Sequence, residues 1–492
     1  MKKRKNKLII PSVLLIALTA VALVIIASGF TDEKTVIRSD VTWLIVILAG
    51  ILPVFLLIIA VVSLCGKKTV VVERSMAVDL SDKTVQKSKK SGNRSINAES
   101  EVKTEQKNTS EVGGENVARA EESGETEEPE EVNRKRFCML PKIDENKGKY
   151  KRNDYEKDFT LDKLCSEFRD FAAYRLRLYY DISDIRRFIA GLAVTKIIIL
   201  QGMSGTGKTS LAYAFGKFLD NESTIIPVQP MWKERTDLLG YYNEFTKRFN
   251  ETDLLVKMYE ALYSKDIYIT VLDEMNIARV EYYFAEFLSL LELPDENERM
   301  LTVVSDEWED DPEKLKGGKI NLPPNMWFVG TANNDDSTFA ISDKVYDRAM
   351  ILNLSKKSEP FKAKKASSRH IEASEFVRLT KEAEREYVLT KRNENRLAML
   401  DKYLIEHFHI TFGNRIMKQI RSYVAIFVGC GGEEIEALDD ILSKKIMRKL
   451  EMQNPVHVKR SADDLCMYLD ELFGEDKMPL CKEYITGLKN NA

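Results

Sequence analysis

The chain has 492 residues, a formal net charge of −3 and 44% hydrophobic residues, which is room for about three domains at roughly 150 residues each. This nearly neutral charge gives no overall sign of a dedicated nucleic-acid binder, which usually has a basic patch or a high pI. Six scattered cysteines form no CxxC pair; this argues against a zinc site and indicates reduced thiols in the cytosol.

Two apolar segments near the N-terminus predict a transmembrane hairpin over residues 1–66. Residues 8–30 and 41–65 are each long enough for a membrane-spanning helix, which needs about 20 residues. The first exceeds the roughly 7 to 15 apolar residues of a signal-peptide core. Lysines and arginines lie before the first span and after the second. The positive-inside rule therefore predicts a multi-pass protein of the cell membrane whose N-terminus and main domain are cytoplasmic.

Residues 67–152 are rich in Lys, Glu, Ser, Asn and Gly and predict a disordered, charged linker. Such a segment cannot bury enough apolar area to offset the entropy of ordering. A solvated tether is the plain interpretation, and a segment that docks a partner or is phosphorylated is the alternative.

A glycine-rich loop follows an apolar run of strand length at residues 196–217, KIIILQGMSGTGKTSLAYAFGK, and leads into a helical pattern. Strand, loop and helix in this order indicate a phosphate-binding P-loop, in which backbone N–H groups surround phosphate oxygens. We expect Lys208 to neutralise the β- and γ-phosphates and Thr209 to bind Mg²⁺. The candidate nucleotide-binding residues are Gly202, Met203, Ser204, Gly205, Thr206, Gly207, Lys208, Thr209 and Ser210.

Two further strand-like runs end in polar residues. The first, DIYITVLDEMN, carries Asp273 and Glu274; Asp273 is suited to hold Mg²⁺, and Glu274 to activate the water that attacks the γ-phosphate. An ordinary cap at the end of a strand is the plain alternative. The second run, MWFVGTANN, carries Asn333, whose amide suits either the orientation of that water or the capping of a turn.

These motifs, followed by DKVYDR, resemble the AAA+ superfamily, and within it the McrB-type and MoxR-type branch. The resemblance implies an α/β fold, a parallel sheet flanked by helices over 153–355, with an α-helical lid over 356–492. It also implies that Asn333 senses the γ-phosphate. Arg348 is then the arginine finger for a neighbouring subunit, and Arg415, in TFGNRIMKQI, is similar to the lid sensor arginine. For both arginines a surface position or an internal salt bridge is the alternative.

The resemblance has limits that affect the nucleotide. McrB-type proteins carry an arginine after the Asn-ended strand, and this chain lacks it, so we expect ATP with Mg²⁺ and keep GTP as the alternative. The segment 227–243 is similar to one near the central pore of this branch. Trp232 and Tyr241 there either contact a partner or belong to the core. Residues 294–324 look like a helix-two insertion that forms a surface hairpin.

Three patterns of helical spacing follow residue 372 and suit the lid. The leading functional hypothesis is a membrane-anchored ATPase, a homo-oligomer in a hexameric ring, that remodels a protein or nucleic-acid complex. The alternative is a nucleotide-dependent switch or scaffold that recruits an effector such as a McrC-like nuclease subunit. A transporter ATPase is a third interpretation, although two spans make a poor pathway. A basic stretch at 356–369 indicates a solvated loop, with contact with nucleic acid as the alternative.

Overall fold

The computed structural model describes residues 135–157, 159–333, 338–354 and 356–491. The predicted membrane spans 8–30 and 41–65 lie outside the described residues, as does most of the predicted linker. No helix within the described ranges is long and apolar enough to cross a membrane.

A parallel sheet forms the centre of the region from residue 197 to residue 353. Its strands are β1 (Ile197–Gln201), β2 (Thr224–Pro227), β5 (Tyr268–Asp273), β8 (Met326–Ala332) and β9 (Met350–Asn353). They lie in the order β2-β5-β8-β1-β9, and every neighbouring pair is parallel. The central strands are buried on both faces, which explains why they read as continuous apolar runs. The carboxyl ends of all five strands therefore meet at one edge.

Helices cover the faces of this sheet. They are α1 (Leu140–Glu145), α2 (Leu161–Leu176), α3 (Ile182–Val194), α4 (Lys208–Phe218), α5 (Thr236–Leu239), α6 (Asp253–Ala261), α7 (Val280–Tyr283), α8 (Ala285–Leu290) and α9 (Asp343–Tyr346). Aromatic packing joins three of them, since the ring of Phe168 on α2 lies 5.0 Å from that of Phe215 on α4 and 6.3 Å from that of Phe188 on α3.

The chain after β9 is helical, as predicted. The helices are α10 (Ala373–Glu386), α11 (Lys391–Phe408), α12 (Asn414–Gly429), α13 (Glu434–Lys445), a 3-10 helix (Met447–Met452), α14 (Pro455–Phe473) and α15 (Pro479–Asn491). Their apolar faces belong to the same core as α2, α3 and α4. The expected α/β fold with a helical C-terminal region is thus confirmed.

Two antiparallel hairpins extend from the sheet region, β3 (Gly240–Asn243) with β4 (Arg248–Glu251), and β6 (Met300–Thr302) with β7 (Lys319–Asn321). The predicted surface hairpin within 294–324 is present. The assignment of residues 294–324 as a helix-two insertion is wrong, because this hairpin lies after β5 and α8 and not between β2 and β5. The hairpin that precedes α6 is β3–β4 instead.

The folded chain begins earlier than the predicted linker boundary at residue 152. Arg136 is 3% exposed and its guanidinium bonds to both Asp306 and Asp311, at 3.2 and 2.5 Å. The backbone N–H groups of residues 138–140 donate to the carboxylate of Glu251 at the end of β4. The expectation of disorder up to residue 152 is therefore wrong for residues 135–152, because long-range contacts that composition does not reveal hold this segment.

Candidate nucleotide-binding site

The glycine-rich loop leaves the carboxyl end of β1 and ends where α4 begins at Lys208. Gly202 has φ +145°, and a Cβ there would lie 2.2 Å from the Leu354 carbonyl oxygen. Gly207 has φ +92° and precedes α4 directly. Because both residues need left-handed φ values, glycine is the residue that suits them. The loop thus directs the N-terminus of α4, with its unpaired N–H groups, toward the site.

Lys208 lies inside this loop. It is 7% exposed, and its Nζ donates to the carbonyl oxygens of Gly202 and Met203 at 2.9 and 2.8 Å. The buried hydroxyl of Tyr180, just before α3, donates to the Gly207 carbonyl at 3.0 Å. These bonds fix the loop from both sides, and the ammonium group is held where phosphate oxygens would be bound.

The predicted magnesium residues are in direct contact. The Thr209 hydroxyl donates to Oδ1 of Asp273 at 2.7 Å, and the Thr331 hydroxyl on β8 donates to the same oxygen at 2.8 Å. Three elements, α4, β5 and β8, therefore bring hydroxyl and carboxylate oxygens together, and oxygen ligands are those that Mg²⁺ prefers.

Glu274 follows β5 in a left-handed conformation, with φ 51°. Its N–H donates to the Thr331 hydroxyl at 2.8 Å, and its side chain is exposed. A non-glycine residue in the left-handed region is uncommon, because this conformation costs about 1–3 kcal/mol. Residues strained in this way cluster at functional sites. The strained backbone turns the carboxylate away from the buried strand and leaves it accessible to a water molecule.

Asn333 follows β8, the strand between β1 and β5. Its backbone is bound on both sides by the Asn276 side chain, which donates to the Asn333 carbonyl at 2.8 Å and accepts from the Asn333 N–H at 3.3 Å. Its own Oδ1 is buried and has no hydrogen-bond partner among the described residues. A buried amide oxygen without a hydrogen bond is destabilising. Here the oxygen is available to accept a hydrogen bond from a ligand or a water molecule.

A cavity of about 790 Å³ extends from this edge of the sheet to the C-terminal helical region. Its wall includes Gly202, Met203 and Asn333, and Lys444 and Arg448 from the helical region. The ring of Tyr346 lies under the Arg448 guanidinium at 4.0 Å, and the Tyr346 hydroxyl is hydrogen-bonded to the side chain of Gln201.

The two predicted arginines lie at the opposite edge. Arg348 precedes β9, so it lies at the amino ends of the parallel strands, about four residues or roughly 13 Å of strand from the loop edge. Its Nη2 pairs with Glu292 at 3.2 Å, and Nη1 of Arg415 pairs with the same carboxylate at 2.8 Å. Both arginines line a cavity of about 550 Å³ that also includes Ile197, the first residue of β1.

The structure thus brings Lys208, Thr209, Asp273, Glu274 and Asn333 together, and it separates Arg348 and Arg415 from them. Sequence reasoning missed four contributors: Tyr180, Asn276, Thr331 and Arg448. Asn276 and Thr331 lie within the two polar strand-end motifs, so their positions near Glu274 and Asn333 in the sequence could have identified them as site residues. Tyr180 and Arg448 lie outside every motif and carried none.

These residues fit a nucleotide and Mg²⁺. The loop forms a backbone cradle that a Cβ at Gly202 would obstruct, and Lys208 supplies the positive charge that phosphates need. The orphaned Oδ1 of Asn333 and the oxygen cluster at Asp273 supply polar groups at the adjacent strand ends.

Comparison with known proteins agrees with this geometry. Residues 197–349 match the AAA domain (dynein-related subfamily), and residues 362–492 match a domain of unknown function, DUF8727. No curated protein matches the chain.

Two solved structures match parts of the chain at low sequence identity. A candidate ATPase from Cytophaga hutchinsonii is 15% identical with a TM-score of 0.43, and the match covers 68% of this chain and 98% of that one. A full-length MCM homolog from Methanopyrus kandleri is 11% identical with a TM-score of 0.33, and the match covers 59% and 62%. On the domain match and the site geometry, residues 197–349 are similar to an AAA domain and form a candidate nucleotide-binding site, and the helical region that follows matches a domain of unknown function.

Proposed function

We propose that this protein hydrolyses ATP in the presence of Mg²⁺ at sites completed by a neighbouring copy of the chain. The observation that carries the proposal is the contact of Thr209 with Asp273 beside the phosphate loop, at 2.7 Å. Glu274 and Asn333 flank this contact at adjacent strand ends. This is the arrangement that phosphoryl transfer to water requires.

The chain's own residues divide the reaction among them. The loop amides and Lys208 bind the β- and γ-phosphates, so that the γ-phosphate is directed toward Asp273 and Glu274. Thr209 and Asp273 would hold Mg²⁺, which would neutralise developing charge on the phosphates. Glu274 accepts a proton from the attacking water, and the free Oδ1 of Asn333 orients that water.

The positions of the arginines support a shared site. Arg348 cannot reach the loop of its own subunit, because the length of the sheet separates them. It is available to a second copy, and we propose a ring of copies in which Arg348 contacts the neighbour's γ-phosphate. Arginine fingers of this kind increase kcat by a factor of about 10³–10⁵. Hexameric stoichiometry follows the family resemblance.

Anchorage and biological role rest on the sequence alone. We propose that residues 8–30 and 41–65 hold the protein in the cell membrane with the ATPase domain in the cytoplasm. There, ATP hydrolysis would drive remodelling of a partner complex. Recovery of the full-length protein in the soluble fraction of lysed cells would contradict the anchorage.

The experiment is steady-state hydrolysis of ATP and GTP by the purified full-length chain, measured across protein concentration. Specific activity that rises with concentration supports sites shared between copies. Constant specific activity would contradict shared sites, and tight nucleotide binding without turnover would favour the nucleotide switch. The ratio of the two rates identifies the preferred nucleotide.

A further inference from the structure

Lys445, the last residue of α13, is a buried lysine, and the main negative charge acting on it is that of Asp347. Lys445 is 3% exposed, and no acidic side chain among the described residues forms an ion pair with it. Burial lowers the pKa of its ammonium group to about 7. Burying a charge is unfavourable unless hydrogen bonds satisfy it, so the hydrogen bonds that Lys445 makes must offset its burial.

Those bonds go to one short backbone segment. Nζ donates to the carbonyl oxygens of Tyr346 at 2.7 Å and Ala349 at 2.6 Å, with Asp347 at 3.4 Å. These carbonyls lie on both sides of Arg348. The segment therefore has its position set by a side chain of the C-terminal helical region.

Two further side chains of that region hold the same segment. Nε2 of Gln419 on α12 donates to the Asp347 carbonyl at 3.3 Å. Arg448 pairs with Asp343 at the start of α9 and covers the ring of Tyr346. On the side of the sheet, Tyr346 is hydrogen-bonded to Gln201, the residue before the phosphate loop. The segment between α9 and β9, which contains Arg348, is thus hydrogen-bonded both to the helical region and to β1, the strand before the phosphate loop.

We propose that Lys445 is a positioning residue that sets where Arg348 is presented to the neighbouring subunit. The helical region of one copy then controls catalysis in the next copy, while Lys445 itself touches no nucleotide. This inference rests on the proposed function. Misplacement of a catalytic group by about 1 Å can cost roughly 100-fold in rate, so loss of these bonds should lower kcat substantially.

The test is ATP hydrolysis by full-length Lys445→Met, in which the apolar stem is kept and the ammonium group is removed. We expect kcat to fall roughly 10- to 100-fold while KM for ATP stays within about twofold, because the subunit's own loop is intact. Lys402→Met is the matched control, since that side chain is 78% exposed and should leave kcat unchanged.

Mixing separates positioning from general damage. Lys208→Ala subunits cannot use their own site but present a normal Arg348, so adding them to Lys445→Met subunits should restore part of the activity. A Lys445→Met protein with wild-type kcat, or one that loses nucleotide binding and is not rescued, would overturn the inference.

A milder variant protects the test against failed folding. Gln419→Ala removes one bond to the same segment without touching a charge, and it should lower kcat in the same direction by a smaller factor. If Lys445→Met does not fold, an unchanged kcat for Gln419→Ala overturns the inference. A wild-type chain that hydrolyses no ATP at any concentration would instead overturn the proposed function, and the inference with it.

Discussion

Arg348 and Arg415 bind the same carboxylate, that of Glu292, at 3.2 and 2.8 Å. Arg348 precedes a strand of the sheet and Arg415 lies on α12, so Glu292 joins the sheet region to the helical region. Two guanidinium groups this close repel each other, and the shared carboxylate offsets the repulsion. Because Arg415 lies beside Arg348 and lines the same cavity, the proposed shared site predicts that both arginines face the same neighbouring copy.

Replacing Arg348 with alanine should remove most hydrolysis and leave nucleotide binding intact. The expected loss in kcat is about 10³-fold or more, the usual contribution of an arginine finger. Mixing with Lys208→Ala subunits should restore part of the activity, because each variant supplies the half of a site that the other lacks. Absence of rescue at protein concentrations that support wild-type activity would argue against an intersubunit site.

Arg415→Ala tests whether the second arginine acts in its own subunit or in the neighbour. Its contact with Glu292 predicts the neighbour, so Lys208→Ala subunits should also rescue this variant. An arginine that acted on its own nucleotide would give no rescue, since the defect and the intact loop would belong to the same subunit. Lys402→Met is a suitable control for the loss of an exposed cation from the helical region.

The sequence predicted the parts of this molecule that depend on local pattern. The phosphate loop, the acidic strand end and helices such as α10 follow from short runs of residues, and the structure has each at the predicted position. Contacts between distant residues were not predictable in this way. Arg136 pairs with Asp311, which lies 175 positions away in the sequence. Residues 135–152, which composition predicts to be linker, are therefore folded. Arg415 likewise pairs with Glu292, which no helical spacing indicates.

The contact between Thr209 and Asp273 predicts how the site responds to Mg²⁺. Thr209→Ala removes a hydroxyl that bonds to Asp273 at 2.7 Å and should raise the Mg²⁺ concentration needed for half-maximal hydrolysis at least tenfold. Thr209→Ser keeps the hydroxyl and should behave nearly as wild type. Titration of Mg²⁺ at saturating ATP is the measurement, and equal Mg²⁺ requirements for the two variants would remove Thr209 from the metal site.

Glu274→Gln should retain ATP binding and lose hydrolysis. The amide is close in size to the carboxylate but cannot accept the proton of the attacking water, and general-base catalysis contributes about 10²–10⁴ in rate. Phosphate release and binding of a fluorescent ATP analogue measure the two properties separately. Glu298→Gln, an exposed carboxylate outside the site, is the control. Wild-type turnover by Glu274→Gln would exclude Glu274 as the base.

Arg136→Met should loosen the N-terminal segment from the two hairpins. The substitution keeps an apolar stem but leaves the Asp311 carboxylate, which is 5% exposed, buried without its partner. Breaking a buried ion pair costs about 3–5 kcal/mol, which corresponds to at least a hundredfold increase in local opening. Hydrogen exchange at the amides of Met139 and Leu140, which donate to Glu251, measures this opening directly. Lys135→Met is the matched control because that neighbouring side chain is exposed. Unchanged protection in Arg136→Met would mean that Phe137 and the Glu251 bonds hold the segment by themselves, and that the ion pair contributes little.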